Sequence, residues 1–180
     1  RMEHEGNVGP WLTIAEDLGL TVRWLDFNRD SWQVEPDDLK SLLSEKTRLL
    51  ALNFASNMTG SVNDVATLSS IAKDAGALVF VDAVQLAPHH YVDVKALGCD
   101  FLACSSYKFF GPHLGILWGR EEILTRLKPY KGRCVSDDIP DRFELGTPQF
   151  EMLAGLSATV AYFENLGKMN STSANRRELI

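Results

Sequence analysis

Residues 78–111, LVFVDAVQLAPHHYVDVKALGCDFLACSSYKFFG, contain two short apolar runs that each end in polar residues. Leu78–Val81 leads into Asp82, and Phe101–Cys104 leads into a polar turn that contains Lys108. Apolar runs of this length are typical of buried strands in a parallel sheet. Ligands of open α/β sheets bind at the edge where the carboxyl ends of the strands meet. We therefore expect a carboxylate and an amine to line one pocket at that edge.

The rest of the chain repeats this alternation of strand and helix. Alternating polar and apolar residues over Thr21–Asp26 predict a strand, and the apolar run Leu49–Phe54 predicts a buried one. Apolar residues at helical spacing predict helices over 64–75, Glu121–Lys128 and Phe150–Leu166. This order of elements indicates an α/β fold with a mainly parallel sheet.

Composition is that of an ordinary globular protein and narrows the choice of partners. Apolar residues make up 45% of the 180 residues, and the net charge of -6 argues against nucleic-acid or anionic-membrane binding. No apolar run approaches the roughly 20 residues that span a bilayer. The three cysteines form no CxxC pair, which favours reduced thiols and a cytoplasmic location. His89 and His90 lack neighbours of ligand type, so no metal site is predicted.

Both ends of the sequence have the character of a piece cut from a longer chain. Arg1 stands where an initiator Met is expected, and Asn175–Leu179 has the pattern of the beginning of another segment. We expect residues 1–149 to form the central part of a large domain. Residues 150–180 are expected to form a long helix and the start of a link to a missing C-terminal domain.

The groups expected at the sheet edge suit covalent carbonyl chemistry. Lys108 lies among Tyr107, Phe109 and Phe110. Shielding from water by such neighbours favours the neutral amine, a nucleophile that forms Schiff bases with aldehydes. Asp82, at the end of a buried strand, needs a cation or hydrogen-bond donors, and a pyridinium nitrogen is such a partner. A lysine Schiff base with an aspartate on the ring nitrogen is the recurring protein arrangement for pyridoxal phosphate.

Other side chains at the same edge fit that arrangement, although the residues alone leave an alternative. Gln85 is suited to hydrogen-bond a ring hydroxyl, and Ser105 with nearby backbone N–H groups is suited to hold a phosphate. Asn57 follows a third strand and is expected at the same edge. The alternative is a structural ion pair between Asp82 and Lys108. The chain contains neither GxGxxG nor GxxxxGK(S/T), so it lacks the signatures of the nucleotide-binding folds.

A long series of motifs resembles a known family. Residues 81–120 contain VDAVQ, HHYVDV, CDF and SSYKFFGPHLG, and the flanks carry MEH at 2–4, SNMTG at 56–60 and RFELGT at 142–147. This series resembles the cysteine desulfurases and related class V aminotransferases, which are fold-type I pyridoxal phosphate enzymes. SYKFFGPH is typical of the branch called cysteine desulfurase-like. The resemblance implies a three-layer sandwich with a mainly parallel sheet, in which residues 1–149 are the central part of the cofactor-binding large domain.

The resemblance assigns roles residue by residue. Lys108 matches the lysine that bonds the cofactor and shuttles the α-proton, and His4 matches a histidine that stacks on the pyridine ring and serves as an acid or base. Asp82 matches the partner of the ring nitrogen. The remaining cofactor contacts fall on the ring hydroxyl and the phosphate, and the residues that match them are Asn57, Gln85, Ser105, Tyr107 and Thr147. In the family dimer the phosphate contact at Thr147 comes from the other subunit.

Some features of the family are absent from these 180 residues. Many desulfurases have His at the position of Tyr107, so that this phosphate contact becomes a phenol hydroxyl or is lost. The glycine- and threonine-rich phosphate loop belongs upstream of Arg1. The arginine that grips the substrate carboxylate and the cysteine that accepts the sulfur both belong beyond Ile180. None of the three cysteines of this chain stands at the position of that nucleophile.

For the full-length protein the resemblance implies removal of sulfur from L-cysteine to give alanine and an enzyme-bound persulfide. It also implies a homodimer and a possible sulfur-acceptor protein. Rival hypotheses are a class V aminotransferase, a selenocysteine lyase or an epimerase acting on another amino acid. A further rival, from a different class, is a non-catalytic binding or scaffold protein with the same fold. The 180 residues by themselves are expected to be inactive.

Overall fold

A computed structural model of the protein describes residues 1–171. The chain divides into two compact units, Arg1–Cys104 and Ser105–Ile180. The end of the expected C-terminal link, residues 172–180, lies outside the described residues.

The first unit contains four helices and three strands along residues 1–104. The helices are α1 (Gly9–Leu18), α2 (Pro36–Leu42), α3 (Val65–Asp74) and α4 (Val94–Leu97), and a 3-10 turn over Glu5–Asn7 precedes α1. The strands are β1 (Leu49–Asn53), β2 (Leu78–Asp82) and β3 (Phe101–Ser105), whose last residue begins the second unit.

The three strands pair in parallel, with β2 between β1 and β3. Leu49 lies opposite Leu78, and the register continues to Asn53 opposite Asp82. Asp82 is in turn level with Ala103 of β3. The expected α/β class and mainly parallel sheet are confirmed, and the register brings Asn53 and Asp82 to the carboxyl edge together.

Both faces of β2 are covered, which explains its almost uninterrupted apolar sequence. Val79 and Val81 are fully buried, and α3 packs against this strand. Phe80 points to the opposite face, because side chains alternate along a strand. Its ring meets the edge of Trp11 from α1 with centroids 5.1 Å apart. The first unit therefore has helices on both sides of its sheet.

Asp64 caps α3, and Asp64→Ala is expected to destabilise the protein by about 1 kcal/mol. Its carboxylate accepts hydrogen bonds from the Thr67 hydroxyl at 2.7 Å and the Thr67 backbone N–H at 3.1 Å. These bonds, the hydroxyl first, lower the pKa of Asp64. A lowered pKa stabilises the fold above the ordinary pKa of aspartate, and this contribution is lost as the pH falls through the lowered value.

Denaturant unfolding at neutral and at acid pH measures this effect. The deficit of Asp64→Ala should shrink in acid, and Asp64→Asn, which keeps a capping oxygen, should lose much less at neutral pH. A deficit that is the same at both pH values would contradict the capping role of the carboxylate.

In the second unit a 3-10 turn over Ser106–Phe109 follows Ser105. Its other elements are β4 (Gly115–Gly119), α5 (Glu121–Leu124), a 3-10 turn over Asp141–Phe143 and α6 (Phe150–Asn170). The helix predicted over Phe150–Leu166 is thus one turn longer than expected. No helix among residues 1–171 is both long enough and apolar enough to cross a membrane.

Two of the predicted elements are wrong. Thr21–Asp26 forms no strand, since its backbone pairs with none of the described strands. Instead the Arg23 side chain donates to the Leu42 carbonyl at 2.8 Å, and Val22 is 39% exposed. Alternation without a neighbouring strand does not make a strand. The helix predicted over Glu121–Lys128 ends at Leu124, and residues 125–126 form a turn.

Candidate active site

Asp82 ends β2 with one carboxylate oxygen committed to the fold and the other available. Oδ1 accepts the backbone N–H of Val84 at 2.9 Å, and this bond fixes the side chain over the first turn after the strand. The Asp82 carbonyl accepts the N–H of Phe54 at 2.8 Å. Within the first unit Oδ2 accepts no hydrogen bond. It is therefore free to receive a proton donor from a ligand.

Gln85 and Asn57 lie on the turns that follow the carboxyl ends of β2 and β1. Gln85 is half-buried, in a turn where the N–H of Leu86 donates to the Ala83 carbonyl at 3.1 Å. Asn57 is exposed at the tip of a tight turn that closes between Gly60 N–H and the Ser56 carbonyl at 3.0 Å. Both side chains follow strand ends, as the sequence predicts.

His4 is exposed, and its Nδ1 accepts the backbone N–H of Gly6 at 3.0 Å. A neutral imidazole that accepts at Nδ1 carries its proton on Nε2. In its neutral form the ring therefore has a defined tautomer, with the proton on Nε2. Such a ring is suited to stacking and to donating or returning a proton at Nε2.

Glu3 has no role predicted from the sequence, although it lies beside these groups. Its Oε1 accepts the backbone N–H of Asn53 at 2.8 Å, and its Oε2 accepts Nδ2 of Asn7 at 2.8 Å. Burial raises the pKa of Glu3, although hydrogen bonds from Asn53 and Asn7 oppose the shift. The charge of Asp82 also raises it. The four-residue spacing of Glu3, Asn7 and Trp11 is the sequence signal that could have identified this cluster.

Two of the three cysteines are poorly placed to act as nucleophiles, and the third is exposed. Cys99 is buried, and its thiol lies 3.9 Å from the Val94 carbonyl. Burial, and then the charge of Asp82, raise the pKa of Cys104, so this residue stays a thiol. Cys134 is exposed in an irregular segment.

Lys108 lies in the 3-10 turn after β3 and is exposed. Its Nζ lies 5.2 Å from the ring centroid of Tyr107, and Tyr107 stacks on His113 with centroids 4.9 Å apart. Phe110 does not shield the amine as predicted. Phe110, in a left-handed backbone conformation, is 82% exposed and lies beside aromatic residues of α6 instead. Tyr107 is thus an aromatic neighbour of the amine.

Ser106 holds the turn that carries Lys108, a role that was not predicted from the sequence. It is fully buried, and its hydroxyl lies within hydrogen-bond distance of the carbonyls of Pro112 and Leu114. Its own N–H donates to the Leu114 carbonyl at 3.0 Å. The N–H of Gly111 donates to the Ser106 carbonyl at 2.9 Å. Ser106 therefore closes both ends of the turn.

Gly111→Ala is expected to destabilise the protein by roughly 1–3 kcal/mol, because the added methyl overpacks this turn. A Cβ at Gly111 would lie 2.8 Å from Cβ of Ser106 and 2.9 Å from its carbonyl oxygen. The matched control is Gly115→Ala, whose Cβ would meet nothing within 4 Å. Thermal unfolding measures both variants, and equal midpoints would contradict the tight packing of the turn.

The other predicted phosphate ligands also belong to the second unit. Ser105 is half-buried at the end of β3, directly before the turn with Tyr107 and Lys108. Thr147 is exposed in the segment between the 3-10 turn at Asp141–Phe143 and α6. The turn after β3 therefore joins three of the predicted residues, whereas Thr147 lies on a separate segment.

The side chains within each unit fit pyridoxal phosphate. In the first unit, Asp82 offers an uncommitted carboxylate oxygen to a pyridinium N–H, and His4 offers an exposed ring face. In the second, the exposed amine of Lys108 is accessible to an aldehyde, and Ser105 and Tyr107 supply hydroxyl groups for a phosphate. Among residues 1–171 no group of three or more His, Cys, Asp or Glu side chains could hold a metal ion.

Comparison with known proteins identifies relatives along nearly the whole chain. A family model described as Aminotransferase class-V matches residues 1–179. A cysteine desulfurase of Yersinia pseudotuberculosis serotype O:1b (strain IP 31758) is 38% identical over 179 residues, which cover 92% of this chain and 44% of that protein. A probable cysteine desulfurase 2 of Mycobacterium leprae (strain TN) is 36% identical over 191 residues, covering 99% and 45%.

The fold agrees with that of a solved structure. The apo structure of cysteine desulfurase from Thermococcus onnurineus NA1 superposes on this chain with a TM-score of 0.82 at 35% identity. The superposed region covers 92% of this chain and 44% of the desulfurase chain. The predicted fold-type I architecture is thereby confirmed, and pyridoxal phosphate is the cofactor of these enzymes. The chain spans less than half the length of each of these relatives. Because the family model covers residues 1–179, this chain belongs to the class-V aminotransferase family.

Proposed function

We propose that the protein containing this chain is a pyridoxal phosphate-dependent cysteine desulfurase, which removes sulfur from L-cysteine and leaves alanine. The observation that carries the proposal is the match, along almost the whole chain, to proteins named cysteine desulfurase at 36–38% identity. The geometry of each unit agrees, since Asp82 at the end of β2 has an uncommitted carboxylate oxygen and Lys108 in the turn after β3 has an exposed amine.

Pyridoxal phosphate, when bound, supplies an electron sink for the electron pair left at the α-carbon of the substrate. Lys108 would hold the cofactor through Nζ and, with that amine free, would take the α-proton of the substrate. Asp82 keeps a proton on the ring nitrogen through Oδ2, because the carboxylate stabilises the adjacent positive charge. His4 stacks on the ring and donates or accepts a proton at Nε2.

The remaining predicted ligands orient the cofactor. Asn57 and Gln85 would hold the ring hydroxyl of the cofactor. Ser105 and Tyr107 bind the phosphate with their hydroxyl groups, and Thr147 completes that contact from the partner subunit of a homodimer. The turn closed by Ser106 supports these contacts, since it holds the backbone around Lys108 with three hydrogen bonds.

The proposal extends to the organisation of the protein. Residues 1–149 belong to the cofactor-binding large domain, and residues 150–180 lead to a C-terminal domain. Cys99 is buried and the pKa of Cys104 is raised, and the resemblance assigns the sulfur-accepting role to a cysteine beyond Ile180 rather than to the exposed Cys134. From that cysteine the sulfur passes to an acceptor protein. The free cysteines agree with a cytoplasmic location, where thiols stay reduced.

The experiment is a substrate panel on the full-length protein loaded with pyridoxal phosphate. Cysteine should yield alanine and, in the presence of a thiol, sulfide in equal amounts. Selenocysteine and common amino-group donors with a keto-acid acceptor test the lyase and aminotransferase alternatives. Transamination or epimerisation without sulfide release would contradict the desulfurase proposal. Cofactor binding without turnover of any amino acid would favour a binding protein with this fold.

A further inference from the structure

We propose that Glu3 is a positioning residue of the cofactor site, which fixes the segment carrying His4 to the sheet at the level of Asp82. The inference rests on the proposed function, because it concerns how the cofactor ring is held between these two side chains. Glu3 itself touches neither the substrate nor the cofactor. It acts through His4, its neighbour in the chain, and through Asn53, the strand partner of Asp82.

The carboxylate of Glu3 is a two-sided link. Oε1 accepts the backbone N–H of Asn53 at the end of β1, and Oε2 accepts Nδ2 of Asn7 in the 3-10 turn, each at 2.8 Å. One oxygen therefore binds the sheet, and the other binds the turn that His4 caps. Because Asn53 lies opposite Asp82 in the register, the link reaches the strand residue that pairs with Asp82.

The turn side of this link is fixed by two aromatic residues. Nε1 of Trp11 donates to Oδ1 of Asn7 at 2.9 Å, so the amide of Asn7 has its oxygen towards Trp11 and its nitrogen towards Glu3. The Trp11 ring packs on Phe80 of β2. Asn7 therefore cannot rotate its amide to suit another group at position 3 without losing the bond to Trp11.

The sheet side is equally constrained. Nδ2 of Asn53 donates to the Met2 carbonyl at 2.6 Å, and Nδ2 of Asn63 donates to Oδ1 of Asn53 at 2.8 Å. Asn53 and Asn63 are both buried. The backbone on both sides of Glu3 is thus bound, at the Met2 carbonyl and through His4, whose own carbonyl accepts the N–H of Asn7 at 2.8 Å.

The acid at position 3 costs stability when it ionises, and its two facing donors explain why a carboxylate is present. Burial raises the pKa of Glu3, so ionisation lowers the stability of the folded protein as the pH rises from the ordinary glutamate value through the raised one. The charge of the nearby Asp82 adds to that cost. Two hydrogen-bond donors face the side chain, however, and a carboxylate is the group that accepts both of them without a donor of its own.

The test uses a pair of substitutions that first breaks and then rebuilds the link. Glu3→Gln leaves one acceptor for two facing donors, so that either the Asn53 N–H or the Asn7 amide loses its partner. Adding Asn7→Asp restores the pattern with the charge moved to position 7. The amide nitrogen introduced by Glu3→Gln then donates to the new carboxylate, which still accepts from Trp11. The control is Glu5→Gln, the same change on an exposed neighbour.

Three measurements are made on the full-length variants. They are the dissociation constant of pyridoxal phosphate, the circular dichroism induced in the bound cofactor, and the thermal unfolding of the cofactor-free protein. Glu3→Gln should weaken cofactor binding by about 10-fold, the value of one lost hydrogen bond, and should change the induced dichroism. The double variant should return both to within about threefold of wild type, and Glu5→Gln should leave both unchanged.

Each outcome of these measurements supports or overturns the positioning role of Glu3. Wild-type affinity and dichroism in Glu3→Gln overturn the proposal, as does a folded double variant that stays as weak as the single one. If Glu3→Gln does not fold, the double variant decides alone by its affinity and dichroism. A wild-type protein that binds no cofactor at Lys108 contradicts the proposed function itself, and the inference falls with it.

Discussion

Lys108→Ala should abolish covalent attachment of pyridoxal phosphate and reduce cysteine turnover by about 10²–10⁴-fold or more, the usual value of a positioned acid–base group. The variant loses both the amine that bonds the aldehyde and the base that takes the α-proton. Lys108 is exposed on a turn closed by Ser106, so its truncation leaves the hydrogen bonds of that turn intact. Unfolding of the cofactor-free variant should therefore resemble that of wild type.

The measurement is the visible absorbance of the protein after dialysis, together with sulfide release from cysteine. Lys128→Ala, which removes an exposed lysine from the same unit, is the matched control and should keep both. Retention of the Schiff-base absorbance in Lys108→Ala would show that another amine bonds the cofactor. The role assigned to this turn would then be wrong.

Asp82→Asn should reduce kcat by about 10²–10³-fold, the scale found when one preorganised electrostatic partner is removed. Asparagine keeps an oxygen for the Val84 N–H, which the Asp82 carboxylate accepts at 2.9 Å. It has no negative charge to hold a proton on the ring nitrogen. The substitution thus removes the electrostatic role and spares the structural one.

The expected pattern is a large loss of kcat with little change in the unfolding midpoint of the cofactor-free protein. Asp38→Asn, at an exposed position in the first turn of α2, serves as the control and should change neither quantity by more than a small amount. A variant that keeps wild-type turnover would remove Asp82 from the reaction. A variant that fails to fold would instead show that the carboxylate is needed for the end of β2.

Elements of the fold that depend on buried faces could be predicted from the sequence. The β2 run is apolar because both of its faces are covered, and α3 shows the spacing of Val65, Leu68 and Ala72 that a helix on a sheet requires. The strand prediction for Thr21–Asp26 was wrong because it rested on the alternation of residues alone, whereas a strand also needs a second strand to pair with. Nothing in the local pattern reports whether that neighbour exists.

The site was predicted less completely, for a similar reason. Asp82 and Lys108 follow strands, so topology alone predicts that they end at the sheet edge. Glu3 acts through the backbone of a residue 50 positions away, and Ser106 acts through two carbonyls of its own turn. Because any residue type can supply a backbone partner, hydrogen bonds of this kind cannot be predicted from the sequence. The exposure of Phe110 was missed because its left-handed backbone conformation is not apparent from residue type.

The most direct test of the proposed site is borohydride reduction of the full-length protein loaded with pyridoxal phosphate, followed by proteolysis and mass spectrometry. Reduction turns the Schiff base into a stable secondary amine and so marks the residue that bonds the cofactor. We expect one modified site, Lys108, in the sequence SSYKFFGPH. A cofactor adduct on a different lysine, or no adduct in a protein saturated with pyridoxal phosphate, would contradict the assignment of Lys108.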